Sequence, residues 1–60
     1  MYQIFIPGEI IYCESFKIDN DLVYLTRPQR YENDKFVPDG TVIINTKEIL
    51  KIKQIPEEVK

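Results

Sequence analysis

No stretch of this chain runs far before a turn-forming residue interrupts it. Pro7-Gly8, Asp19-Asn20-Asp21, Pro28, Asn33-Asp34, Pro38-Asp39-Gly40 and Pro56 divide it into short segments. These segments are rich in Ile, Val, Tyr, Phe and Thr. Closely spaced β-formers between turn signals predict an all-β meander. The expected strands are Tyr2 to Ile6, Glu9 to Ile18, Leu22 to Arg27, Thr41 to Ile44 and Ile49 to Ile55, with a small protruding hairpin between the third and fourth.

Side-chain type sets the register of the first long hairpin. If Asn20-Asp21 is a two-residue loop, Ile18 faces Val23, Phe16 faces Leu25 and Glu14 faces Arg27. Lys17-Tyr24 and Ser15-Thr26 then share the other face. A three-residue loop would mix Lys17 with Val23 and Ser15 with Leu25, so the shorter loop is preferred. The same reasoning around Asn33-Asp34 pairs Glu32 with Lys35 and Tyr31 with Phe36. Thr41 to Ile44, with its Val42-Ile43-Ile44 run, reads as a strand buried on both faces or nearly so. Residues 45–48 read as one capped helical turn, with Asn45 accepting free N–H groups and Glu48 placed to reach back. Lys51 and Lys53 alternate with Leu50 and Ile52 on the last strand.

Five short strands with a tight helical turn before the last resemble small barrels of the Src-homology-three and Sm-like type. The resemblance lies in the order of elements, without a sequence motif, and implies a meander or partly open barrel but no function. Residues 1–56 are expected to form one β domain and 57–60 a frayed tail.

Sixty residues bury a limited core. The 43% hydrophobic content, with four tyrosines and three phenylalanines, still suits a folded chain. Cys13 is the only cysteine and there is no histidine, so the residues offer neither an internal disulfide nor a zinc ligand set. No metal or cofactor is expected. The longest uncharged run, residues 1–8, falls short of the ~20 residues of a membrane span, and it lacks the basic leader and small-residue cleavage site of a signal peptide, so none is expected. The expected location is cytoplasmic, with no membrane partner. Eight basic against ten acidic residues give a net charge of −2, which disfavours a duplex nucleic-acid binder.

No catalytic residue is expected. The commonest general base is missing and nothing in the sequence specifies a base beside Cys13. A small strand residue describes Cys13 better than a nucleophile does. Asp19 and Asp21 are turn formers, because Leu22 and Val23 stand where a calcium loop needs oxygen ligands and glycine.

Arg27, Arg30, Tyr31, Lys35 and Phe36 concentrate cations and rings in one loop-rich region. Tyrosine, phenylalanine and arginine are enriched at the centres of protein interfaces, so these five form the expected partner-binding site. A solvated hairpin whose rings cover the end of the barrel is the plainer alternative. Lys47, Lys51 and Lys53 form a second cationic strip, read mainly as protection of an edge strand. Tyr12 and Tyr24 are expected inside or half inside the barrel.

The functional expectation is a non-enzymatic protein-interaction domain, a small inhibitor or regulator of a larger protein. Phage-encoded inhibitors of host defence factors are comparable in size and type. The alternative is a single-stranded nucleic-acid-binding barrel. A homodimer is also expected, through Tyr2, Ile4 and Phe5 on an uncharged first strand taken to be an edge.

Overall fold

The computed structural model describes residues 1–56, and the expected frayed tail lies outside the described residues. The fold is all-β. Its strands are β1 (Tyr2–Ile6), β2 (Glu9–Cys13), β3 (Ser15–Asp19), β4 (Leu22–Thr26), β5 (Gln29–Glu32), β6 (Lys35–Pro38), β7 (Ile43–Asn45) and β8 (Lys51–Gln54). A 3₁₀ turn over Thr46–Glu48 precedes β8. Two antiparallel sheets form, β6-β5-β2-β1-β8 and β3-β4-β7, and they do not close into a barrel. No helix among the described residues is long and apolar enough to cross a membrane.

Each turn follows from its residues. Gly8 has φ +83° after Pro7, and Asn20 has φ +58°. Asn33 and Asp34 are both positive, at 51° and 66°, as a type I′ hairpin turn requires. Asn45 caps the 3₁₀ turn, its side chain accepting from the Lys47 N–H at 2.8 Å. The expected hairpin registers form: Ile18↔Val23, Phe16↔Leu25, Lys17↔Tyr24 and Ser15↔Thr26 in one, Tyr31↔Phe36 and Glu32↔Lys35 in the other.

The expected strand from Glu9 to Ile18 is bent into two. β2 belongs to the larger sheet and β3 to the smaller, with the break at Glu14. Its neighbour bends at the same level, between β4 and β5, where Arg27 takes φ +53° ahead of Pro28. A positive φ is uncommon for a residue with a side chain, and it turns the chain from one sheet into the other. Register continues across the corner, from Ser15↔Thr26 to Tyr12↔Gln29. The Glu14 N–H donates to the Thr26 carbonyl at 2.9 Å. The Arg27 Nε to Glu14 Oε1 distance is 3.7 Å, with side-chain exposures of 77% and 62%, so this ion pair adds at most ~1 kcal/mol. Taken through these two bends, the eight strands reduce to six segments in two open sheets, consistent with the expected meander or partly open barrel.

The core is Ile4, Ile11, Cys13, Val23, Leu25 and Ile44, drawn from both sheets. Tyr2 and Phe16 close one side of it, ring centroids 5.0 Å apart and nearly perpendicular.

Three expectations are corrected here. β1 is an interior strand, paired on one side with β2 and on the other with β8. The backbone edges of both its flanks are therefore occupied. Ile4 is fully enclosed and Tyr2 packs against the core, so Tyr2, Ile4 and Phe5 do not form a strand-edge contact with a second copy. β7 is buried on one face only: Ile44 points inward while Ile43 is half exposed. Tyr24, expected inside or half inside the barrel, lies on the outer face of the smaller sheet, 38% exposed and opposite Ile43 and Lys17.

Candidate interaction surface

Alternation along each strand gives the larger sheet an inward and an outward face. On β1, Ile4 points in, so Gln3 and Phe5 point out. On β2, Ile11 and Cys13 point in, leaving Ile10 and Tyr12 outside. Register then aligns the outward residues into rows across the sheet. One runs Pro38, Gln29, Tyr12, Gln3, Lys53. The next contains Phe36 opposite Tyr31 and Ile10 opposite Phe5, which stands opposite Lys51.

The two halves of this second row meet at an open cleft of about 400 Å³ lined by Glu9, Ile10, Tyr12, Arg30, Tyr31 and Glu32. The ladder between β2 and β5 is limited to Tyr12↔Gln29, and beyond that pair residues of both strands line the cleft instead. Aromatic contacts stiffen its wall. Phe36 stands edge-on to Tyr31 and to Tyr12, with centroids 5.0 Å apart in each case. The Tyr12 hydroxyl accepts from Gln3 Nε2 at 3.2 Å. At the far end the Lys51 ammonium sits 5.4 Å from the Phe5 ring centroid, within cation–π range. Tyr31 is 53% exposed, Phe36 44% and Ile10 38%. Lys51 and Lys53 are the charged members of these rows, and no carboxylate belongs to either.

Of the five residues expected to bind a partner, Tyr31 and Phe36 come together on this face. Arg30 has a different role. Its Nε donates to Asp39 Oδ2 at 2.7 Å and its Nη1 to Glu9 Oε1 at 2.5 Å. The Asp39 hydrogen bond and charge, then Glu9, hold its pKa above the ordinary arginine value. One guanidinium thus ties β2, β5 and the turn after β6 together beside the cleft, neutralised by two carboxylates. Arg27 lies at the sheet corner next to Glu14, and Lys35 at the hairpin tip opposite Glu32.

Sequence reasoning missed Ile10 as a surface residue and assigned Phe5 to a dimer edge; Tyr12, expected inside or half inside the barrel, is half-buried on the outward face. Period-two alternation across Ile10-Ile11-Tyr12-Cys13 carried the signal, but it becomes usable only when one inward residue of the strand is known. Lys51 and Lys53 do lie on an edge strand, β8, as expected. Lys47 sits apart from them on the 3₁₀ turn.

Cys13 faces inward and is completely enclosed. Burial pushes its thiol pKa up, with a smaller opposing pull from the N-terminal charge. A raised pKa leaves little thiolate near neutrality. Native protein is therefore expected to react with iodoacetamide at pH 7.5 far more slowly than unfolded protein in urea. Equal rates in the two states would contradict the enclosure.

No family model, curated protein or solved structure matches this chain.

Proposed function

We propose that this protein is a non-enzymatic interaction domain, a small inhibitor or regulator that binds a larger protein through the outward face of its five-stranded sheet. The observation that carries this reading is the pair of rows bearing Phe36, Tyr31, Ile10, Phe5 and Tyr12. Of these, Tyr31, Phe36 and Ile10 are 38 to 53% exposed, and Ile10, Tyr12 and Tyr31 line one open cleft. Apolar patches held on a sheet and bordered by polar groups mark interaction sites, and aromatic residues dominate the energetics of such sites. Arg30 supports the surface from beneath, bracing the strands that carry it. The enclosed Cys13 thiol fits a binding role better than nucleophilic chemistry.

The test is capture of the partner on immobilised protein, identification by mass spectrometry and titration of the purified partner. Wild type is compared with Ile10→Glu, a charge placed at the cleft. Loss of at least tenfold in affinity with an unchanged melting curve supports the reading, and unchanged affinity sinks it.

A second reading rests on Lys51 and Lys53, which flank the same rings. Cations beside stacked aromatics also suit a single nucleic-acid strand. Fluorescence anisotropy with a twenty-nucleotide oligothymidylate separates the two. Nucleic-acid binding would weaken steeply between 50 and 200 mM salt and would be lost in a Lys51→Ala/Lys53→Ala double variant. An aromatic-centred protein contact changes far less with salt.

A further inference from the structure

Among the described residues the two sheets leave four free edges: β6 and β8 on the larger, β3 and β7 on the smaller. An edge strand presents unpaired backbone groups that a second strand can take up, and proteins usually blunt such edges. Three of these are blunted. β8 carries Lys51 and Lys53, β6 ends in Pro38, and β7 is three residues long. β3 is the longest, at five residues, and contains neither proline nor glycine.

Its charges are not simply protective. Lys17 and Asp19 lie two residues apart and so on one face, opposite in sign. Ile18, between them, points to the other face, in line with the fully buried Val23. Val23 is covered, yet Ile18 remains 57% exposed because the sheet ends there.

We propose that the protein pairs with a second copy of itself by joining β3 to β3 antiparallel about a two-fold axis through Ile18. In this register Ile18 meets the partner's Ile18, extending the inward apolar face across the axis. Lys17 of each copy then stands opposite Asp19 of the other, giving two ion pairs on the outward face. Centring the axis on Lys17 would instead set like charges directly opposite, which is unfavourable. The charges thus select the register, while the shared ladder and the covered isoleucines hold the pair. The result is a continuous six-stranded sheet with an isologous contact. It leaves the aromatic face of the larger sheet free, so it stands independently of the proposed function.

Sedimentation velocity across a dilution series, with amide hydrogen exchange, tests this. Wild type is expected to show a concentration-dependent dimer, with slowed exchange confined to Ser15–Asp19 beyond what the monomer shows. Lys17→Asp and Asp19→Lys, each placing like charges across the axis, are expected to weaken the dimer about tenfold. The double swap Lys17→Asp/Asp19→Lys restores opposite pairing and should return the wild-type dissociation constant. Both positions are exposed, and circular dichroism verifies that the variants keep the fold. A monomer at every concentration overturns the proposal. So does a dimer that the single swaps leave unchanged, or one that the double swap fails to restore.

Discussion

Ile4→Ala is expected to remove half or more of the stability of this protein. Ile4 has no exposed surface and stands at the centre of the larger sheet, opposite Ile11 on one side and Ile52 on the other. Truncating a buried isoleucine to alanine costs about 2–5 kcal/mol, part of it lost transfer energy and part the cavity left behind. A chain of this length has a total stability of about 3–9 kcal/mol. No disulfide supports the fold, since Cys13 is free. Urea or thermal denaturation followed by circular dichroism should show a large fall in midpoint. A midpoint within a few degrees of wild type would mean that Ile4 is not packed as described. Ile4→Lys carries the same logic further: it buries a charge and is expected to unfold the monomer, so it does not report on dimerisation.

Tyr31→Ala and Phe36→Ala are expected to act on binding more than on stability. Both rings are about half exposed, so truncation forfeits only part of their burial. Interface rings that act as anchors cost about 2 kcal/mol or more when truncated, roughly thirtyfold in affinity. Phe36→Ala should also lower the melting temperature more than Tyr31→Ala. It removes two edge-on ring contacts, with Tyr12 and with Tyr31, each worth about 0.5–1.5 kcal/mol, whereas Tyr31→Ala removes one. Titration with the captured partner and parallel melts separate the effects. If both variants bind normally and melt far lower, the rings serve the fold and the proposed surface is wrong.

Arg30 shows where residue type alone misleads. In sequence it resembles its neighbours Arg27 and Lys35, three cations in a region punctuated by prolines. Its distinguishing partners, Glu9 and Asp39, are 21 and 9 residues away, and nothing local to Arg30 points to either. Ile43 misleads differently. A run of Val42, Ile43 and Ile44 looks like two-sided burial, but the strand lies at the edge of a three-stranded sheet: Ile44 is in the core and Val42 packs against it, while Ile43 faces outward.

The sequence by itself determined the all-β class, the turns and the register of both two-residue hairpins. Those features depend on contacts within a few residues, where φ preference at Asn20, Asn33 and Asp34 and the apolar matching of Ile18 with Val23 or Tyr31 with Phe36 act directly. Only the tertiary structure decided which strands are interior and which are edges. β1 pairs with β8 across some fifty residues, from Tyr2 to Gln54, and no local preference encodes that closure. The closure makes Ile4 core instead of contact. The bends at Glu14 and Arg27 divide the sheets, and the inward packing of Ile11 and Cys13 turns Ile10 and Tyr12 to the solvent. A side chain's face is relative to its sheet, so the surface becomes definite only once the sheets are assembled.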